Sequence, residues 1–479
     1  MSSWPLNWAG TSKSIHLIGV AGSGMGAFAG LLKQAGFLVR GSDENVYPPM
    51  SDKLKEWGIP ALTPYAPANL DPPPDLVVVG NVVRRDNVEA AAMRERSLPH
   101  ASFPEALGRL FLQERHSVVI AGTHGKTTTT SLVAWVLLKT HRDPGLLVGG
   151  IPLGLGESFR LGAPGMNSPF VIEGDEYDTA YFDKGPKFLH YRPRSLLCTS
   201  LEYDHADIYA SVEAIIARFA ELMSLVPADG HIVLCSEEPH LLKARAQAAV
   251  QARVTTYGAG GAYDARGVSE DGRGLGFMVV HGGHEEGRCF LPLSGRHNLL
   301  NALGAYAILS GLGLTHDEIA LGFETFAGVK RRMEVRGEAD GCMVIDDFAH
   351  HPTAVKTTLE GARSRYQGRP LWAIFEPRSA TSCRKIFQDD YARAFDAADR
   401  VLLAPPGRNL DPTVALDVRK LASDLSARGR PTNACASIEE VVVCAAQEAP
   451  RGSVLLCMSN GGFGGVHDKL LAALSARAG

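Results

Sequence analysis

The stretch Ser117–Thr130 restricts what this chain can be more than any other. It reads Ser-Val-Val-Ile-Ala-Gly-Thr-His-Gly-Lys-Thr-Thr-Thr-Thr. The apolar run Val118–Ala121 has the pattern of a parallel strand buried on both faces. Gly122-Thr123-His124-Gly125 follows as a tight turn, and Lys126-Thr127 opens a helix continued by Leu132, Val133, Val136 and Leu137. A strand, a glycine turn and a helix starting in Lys-Thr make a phosphate cradle. The N–H groups of the first helical turn have no intrahelical acceptor, and the helix dipole favours an anion there. The lysine adds a point charge for β- and γ-phosphates, and the next hydroxyl is placed for Mg²⁺. The usual spacing is G-x-x-x-x-G-K-[ST]; with Gly122 and Gly125 as the two glycines, this loop is two residues shorter. The expected nucleotide contacts are Gly122, Thr123, His124, Gly125, Lys126, Thr127 and Thr128.

At 479 residues, and about 150 residues per domain, roughly three domains are expected. A net charge of −4 gives no basic surface for nucleic acid or an anionic membrane. No apolar run approaches the roughly 20 residues of a spanning helix. The start, Met-Ser-Ser-Trp-Pro-Leu-Asn-Trp, lacks the parts of a signal peptide. Eight cysteines without a C-x-x-C pair suggest neither a disulfide framework nor a zinc site. A reduced, cytoplasmic enzyme is the expectation.

Taken in order, residues 14–20 read as a strand, followed by Gly22-Ser23-Gly24-Met25-Gly26-Ala27, a helix to Gly36, and a second strand ending at Val39 with Asp43 just beyond. This is G-x-G-x-x-A with an acid about 20 residues on, the dinucleotide fingerprint. It places a nucleotide or its pyrophosphate on the helix start without saying which, and leaves an NAD-dependent oxidoreductase open. Leu76–Gly80 is a further buried strand with Asn81 at its end. Phe170–Asp178 sets an apolar strand before an acidic cluster, with Glu173 at the strand's carboxyl end as a candidate metal ligand. The strand 195–201 ends in Glu202-Tyr-Asp-His205-Ala-Asp207, where His205 is a second candidate. An amphipathic helix over 211–226 and strands near 231–235, 253–257, 275–281 and 287–291 suggest an added β-layer. Gly295-Arg-His-Asn298-Leu-Leu-Asn301 begins a helix to Leu312, and an Asn298 amide there is able to pair with an adenine edge. From Lys330 on, strands around 335–346 lead to Asp346-Asp347-Phe-Ala-His350-His351-Pro352, with Pro352 suited to the first position of the next helix. Strand 371–375 with a helix over 382–398, strand 400–404, and strand 453–458 with a helix over 465–477 complete the chain. Arg378, in Glu376-Pro-Arg-Ser379, lies where a substrate carboxylate would be clamped, and Ser459-Asn460-Gly-Gly-Phe-Gly-Gly465 is another glycine turn at a strand end.

Together and in this order, Gly-Thr-His-Gly-Lys-Thr-Thr-Thr, the Glu173 cluster, Asp-His-Ala-Asp, Gly-Arg-His-Asn, Arg-Arg-Met-Glu and Asp-Asp-Phe-Ala-His-His-Pro resemble the Mur ligases of peptidoglycan synthesis over the whole chain. Gly41–Met50, Asp175–Lys184, Glu376–Ser379 and Met458–Gly465 are most similar to the branch that serves cell-wall recycling. The resemblance implies an α/β fold in three domains. These are a Rossmann-like UDP-binding domain over 1–114, a central P-loop ATPase domain over 115–329 with a parallel sheet plus added β-layer, and a C-terminal Rossmann-like domain over 330–479 that binds the incoming peptide. It implies ATP and Mg²⁺ as cofactors, with Lys126, Glu173 and His205 as the catalytic set. Thr127, Glu173 and His205 would form the metal shell, and Asn298, Arg332 and Asp347 would contact ATP. Gly22, Ser23, Gly24, Met25, Asp43 and Asn81 would hold the UDP-sugar, and Arg378, Ser379 and Asn460 the peptide. The implied reaction joins a murein tripeptide to UDP-N-acetylmuramate through an acyl phosphate, L-alanine being the alternative amine. No nucleic-acid or membrane partner is implied, and the chain is expected to be a monomer or weak homodimer. Several relatives carry a carbamoylated lysine after the Asp-His motif; Ala217-Arg-Phe-Ala-Glu-Leu-Met has no lysine.

Overall fold

A computed structural model describes residues 13–204, 206 and 208–478. His205 and Asp207, both singled out by the sequence, lie outside the described residues. The chain divides into two compact units. The first holds the described part of Met1–Leu201 with Glu213–Tyr263 and Gly304–Gly322. The second holds Glu202–Val212, Asp264–Leu303 and the described part of Phe323–Gly479.

The first unit contains two parallel sheets. In one, the strands lie in the order Ala61–Leu62, Leu38–Ser42, Ser14–Ile18, Leu76–Val79, His100–Ser102, all parallel. The order reverses beside Ser14–Ile18, so the crevice beyond its carboxyl end is where such a sheet receives a ligand. Ile15, Leu17, Ile18 and Leu76–Val79 are fully buried, as expected of strands covered on both faces. The other sheet runs Arg253–Tyr257, His231–Cys235, Ser195–Cys198, His116–Ala121, Pro169–Gly174, Gly145–Leu147 in parallel, with Phe159–Arg160 antiparallel at its edge. The apolar strand His116–Ala121 is thus central. Its neighbours are the strand that ends in the acidic cluster and the strand that ends in Thr199-Ser200.

Strand Tyr263–Asp271 makes one parallel pairing at its start, Tyr257 with Tyr263, inside the first unit. In the second unit Gly274–His281 and His284–Leu291 form an antiparallel hairpin. The second unit's other sheet has the order Glu334–Ala339, Cys342–Asp347, Val454–Met458, Leu371–Phe375, Arg400–Leu403, Thr432–Ala434, parallel except for its first strand. Helices Pro352–Arg365, Gln388–Ala394 and Val418–Ala427 bury Val355, Leu359, Tyr391, Leu421 and Leu425 with one face of it. Ile438–Glu448 and Val466–Ala478 bury Val441, Ala445, Leu470 and Leu474 with the other. Pro352 takes the first helical position, and His351 Nδ1 caps that helix by accepting from Thr353 N–H at 3.3 Å.

The helix expected over 382–398 is shorter than its sequence pattern. Lys385–Phe387 is a single tight turn, and the helix proper is Gln388–Ala394. Ser382 Oγ accepts the N–H groups of Arg378 (3.0 Å) and Ser379 (2.8 Å), so the hydroxyl organises a loop there. Among the described residues no helix is long and apolar enough to cross a membrane.

Candidate active site

In the first unit, strand His116–Ala121 leads into Gly122 and the helix Lys126–Lys139 starts after Gly125, which caps it at φ +80°. Thr129 N–H is the first to be taken up by the helix, donating to Gly125 O at 2.9 Å. The N–H groups of Lys126, Thr127 and Thr128 therefore lie ahead of the helical ladder, where an anion is favoured. The neighbouring strand end braces the turn. Thr123 N–H donates to Ser200 O (3.1 Å), His124 N–H to Ser200 Oγ (2.8 Å), and Thr199 Oγ1 to His124 O (2.5 Å). Gly122 is needed for this closeness: a Cβ there would lie 2.1 Å from Thr199 Oγ1, at φ +142°.

The acidic cluster meets the cradle, and each carboxylate has its own role. Thr127 Oγ1 donates to Glu173 Oε1 at 2.9 Å, and Gly149 N–H donates to Glu173 Oε2 at 2.8 Å. A hydroxyl and a carboxylate oxygen set side by side are the hard donors that suit Mg²⁺. Lys126 Nζ donates to both oxygens of Glu176 (2.9 and 3.1 Å) and to Gly122 O. Asp175 accepts from Lys187 Nζ at 2.6 Å. Burial opposes the Lys126 ammonium, but Glu176, Asp175 and Glu173 outweigh it and raise its pKa above the ordinary lysine value. Burial likewise opposes ionised Asp175, yet Lys187 and Lys126 hold it below the usual carboxylate range. The structure thus brings together Gly122, Thr123, His124, Gly125, Lys126, Thr127, Thr128 and Glu173. His205 lies outside the described residues.

The other glycine turn of this unit is open. Gly22, Ser23 and Gly24 are exposed, Gly22 caps the helix Ser23–Gln34, and Met25 is buried beneath. Asn81, exposed, sits just past the end of Leu76–Val79. Asp43 is used by the turn: its Oδ2 accepts Ala21 N–H at 2.9 Å and its Oδ1 accepts Tyr65 Oη–H at 3.3 Å. It fixes the loop that carries Gly22.

In the second unit, Arg378, Ser379 and Asn460 come together. Leu371–Phe375 and Val454–Met458 are paired, so residues 376–379 and 459–461 leave adjacent strand ends. Glu376 joins them, accepting from Arg378 Nη1 (3.3 Å) and from Ser459 Oγ (2.5 Å) while only 3% exposed. The Arg378 side chain lies where a Cβ on Gly461 would be, 2.1 Å from both its Cδ and its Nε, and the residue remains exposed. Asn460 Oδ1 is buried without a hydrogen-bond partner. Asp347 is buried and accepts N–H from Met333 and Ala349, both at 2.8 Å. Burial raises its pKa, against the pull of Arg332 and those N–H groups. The Arg332 guanidinium lies over the Phe348 ring, 5.1 Å from its centroid. Asn298 Nδ2 donates to Ser294 O (2.8 Å) and its Oδ1 accepts from Asn301 (3.2 Å), so this amide holds its own helix start.

Sequence reasoning had no role for Glu176, Thr199, Ser200 or Ser382. Hydroxyl pairs at strand ends were the available signal for Thr199 and Ser200. Nothing local marks Glu176 among four acids as the partner of Lys126.

Comparison with known proteins agrees with this geometry. Residues 14–115 match the Mur ligase family catalytic domain, 120–309 the Mur ligase middle domain, and 331–461 the Mur ligase glutamate ligase domain. A UDP-N-acetylmuramate–L-alanyl-γ-D-glutamyl-meso-2,6-diaminoheptandioate ligase of Escherichia coli (strain K12) is 37% identical over 97% of this chain and 99% of its own length. A UDP-N-acetylmuramate–L-alanine ligase of an Arthrobacter species is 36% identical over 90% of each chain. The crystal structure of a murein peptide ligase from Psychrobacter arcticus is similar with a TM-score of 0.73 at 35% identity, covering 97% of this chain and 99% of its own. With matches along its full length and a cradle, acidic cluster and C-terminal loops arranged as described, the chain belongs to the Mur ligase family.

Proposed function

We propose that this chain is an ATP-dependent ligase that joins L-alanyl-γ-D-glutamyl-meso-diaminopimelate to the lactyl carboxylate of UDP-N-acetylmuramate, releasing ADP and phosphate, in peptidoglycan recycling. The observation that carries this reading is the 37% identity along almost all of both chains with the E. coli ligase of that name. The loops bearing Arg378, Ser379 and Asn460 support it, since a tripeptide presents more carboxylates than L-alanine does.

A carboxylate resists attack by an amine because its leaving group would be an oxide. Phosphorylation by ATP removes that obstacle, giving an acyl phosphate whose carbonyl carbon the neutral alanyl amine attacks, the C–O bond breaking to release phosphate. Phosphoryl transfer asks a protein for positioning and charge neutralisation more than for covalent help. Lys126 supplies charge, and the N–H groups of Lys126–Thr128 supply oriented dipoles. Thr127 and Glu173, with His205 as the third candidate, would hold Mg²⁺, which when bound neutralises phosphate charge. Asn298, Arg332 and Asp347 keep their ATP roles as part of this proposal. Gly22, Ser23, Gly24, Met25 and Asn81 keep theirs toward the UDP-sugar, with Asp43 acting through the loop it caps. The division into 1–114, 115–329 and 330–479, a cytoplasmic location and a monomer or weak homodimer belong to the same reading.

The test is phosphate release from ATP with Mg²⁺ and UDP-N-acetylmuramate, with either amine. Release with the tripeptide and not with L-alanine is the expected result. Release with L-alanine alone would reassign the chain to the L-alanine-adding branch.

A further inference from the structure

Two of the eight cysteines meet in the second unit, at a spacing that marks no motif in the sequence. Cys435 follows the edge strand Thr432–Ala434, and its N–H donates to Leu403 O at 2.9 Å, which holds it at the carboxyl end of the sheet. Cys444 lies on the helix Ile438–Glu448, which packs against one face of that sheet. Glu440 is one turn before Cys444, so the two side chains share a helix face. The Cys435 and Cys444 sulfurs and a Glu440 carboxylate oxygen all lie within 4.8 Å of one another.

The carboxylate is held in place. Ser437 Oγ caps the helix by accepting Glu440 N–H at 3.1 Å, and Glu440 Oε2 accepts Ala436 N–H at 2.6 Å. These bonds fix Glu440 at the helix start and leave lone pairs on its oxygens for another partner. Cys435 is 5% exposed, whereas Cys444 is half-buried and Glu440 exposed, so the cluster is reached from solvent on the Cys444 and Glu440 side. Arg400 acts on Cys435, but its guanidinium is already paired with Glu448 at 2.6 Å and Asn433 at 3.0 Å. Burial, then Cys444 and Glu440, push the Cys435 thiol up to about 12, so without a cation this sulfur keeps its proton. A tetrahedral ion with bonds of about 2.3 Å to sulfur and about 2.1 Å to oxygen holds its ligand atoms about 3.5–3.8 Å apart. Side-chain adjustments of about 1 Å therefore bring the three donors onto one ion. Two sulfurs and a carboxylate oxygen suit a borderline-soft ion, whereas Mg²⁺ takes oxygen.

We propose that Cys435, Cys444 and Glu440 bind a thiophilic divalent cation, of the class of Zn²⁺ and Cd²⁺, through two thiolates and one carboxylate oxygen, with water as the fourth ligand. Binding releases the two thiol protons to solvent. The site lies wholly within the second unit and does not depend on the ligase reading. The cation ties the end of the edge strand to the helix Ile438–Glu448. Ile438 of that helix packs against the glycine turn that carries Asn460: a Cβ on Gly464 would lie 2.5 Å from Ile438 Cδ1. The cation thus braces the framework behind that turn.

The experiment titrates the metal-free full chain, reduced with a phosphine, with Cd²⁺. Thiolate ligands give Cd²⁺ an ultraviolet charge-transfer band that oxygen and nitrogen ligands do not, so binding at the Glu173 cluster is silent. Cys444→Ser is the first test substitution. Glu440→Gln is the second, because glutamine keeps the acceptor for Ala436 N–H and so preserves the helix start. Melting curves confirm that each variant is folded. The wild-type band is expected to saturate at one Cd²⁺ per chain. Cys444→Ser is expected to lose the band at Cd²⁺ concentrations that saturate the wild type. Glu440→Gln is expected to keep the band and to bind about tenfold or more weakly. No band in the wild type, an equal band in Cys444→Ser, or unchanged affinity in Glu440→Gln overturns the proposal.

Discussion

Lys126 and its partners carry the sharpest residue-level consequences. Lys126→Ala is expected to abolish ATP-dependent turnover in a chain that still folds but, with Glu176 left buried without its ammonium, melts at a lower temperature; near-normal activity would remove the cradle from the mechanism. Glu176 is a different case. Its carboxylate takes Lys126 N–H donors that a triphosphate would also use. Glu176→Gln removes a competing negative charge, so ADP is expected to bind more tightly by calorimetry. The same change breaks a buried ion pair, and the chain is expected to lose on the order of 3 kcal/mol of stability. Weaker ADP binding in that variant would mean that the carboxylate's part is to orient the lysine. His231 gives a pH prediction. Its folded pKa of about 4 lies below the ordinary value of 6.5, so the unfolded chain takes up its proton first on acidification. Stability is therefore lost as pH falls from about 6.5 toward 4, by on the order of 3 kcal/mol. Chemical denaturation of His231→Asn at pH 7 and pH 4.5 is expected to show a smaller loss than wild type; an equal loss would contradict it.

At the scale of elements, the turn between strand His116–Ala121 and helix Lys126–Lys139 is fixed from the next strand, by Thr199 and Ser200. Gly122→Ala puts a methyl group within 2.1 Å of Thr199 Oγ1 and 2.9 Å of Ser200 N. Because one neighbour is backbone, the turn itself must shift. A displacement of about 1 Å at such a site costs about 100-fold in kcat/KM, which steady-state kinetics would register; an unchanged value would show that the turn tolerates movement. Elements like this one were legible because their pattern is local: an apolar run, two glycines and Lys-Thr. Strands His231–Cys235 and Arg253–Tyr257 were legible as strands from their local pattern, but they extend the central parallel sheet instead of joining the added β-layer expected of them, because pairing partners leave no mark in a local pattern. Strand Tyr263–Asp271 was not, since Tyr-Asp-Ala-Arg-Gly-Val-Ser-Glu-Asp is mostly exposed and carries no apolar alternation. The helix over 382–398 was overextended because the Ser379–Ser382 hydroxyl network, a loop-forming feature, has no periodic signature.

For the molecule as a whole, the family and the order of the sites were written in the sequence, because phosphate cradles and strand-end acids use fixed residue types at fixed spacing. The pairing of Glu176 with Lys126, the capping of the Gly22 loop by Asp43, and the union of Arg378 with the 459–461 loop through Glu376 were not, because each joins segments far apart in the chain. The central claim is that the lactyl carboxylate is phosphorylated before the amine attacks. It is tested most directly with UDP-N-acetylmuramate labelled with ¹⁸O in that carboxylate, incubated with ATP, Mg²⁺ and the tripeptide. Released phosphate carrying one ¹⁸O atom from the carboxylate is the expected result. Phosphate free of the label, with amide formed, would contradict the acyl-phosphate route.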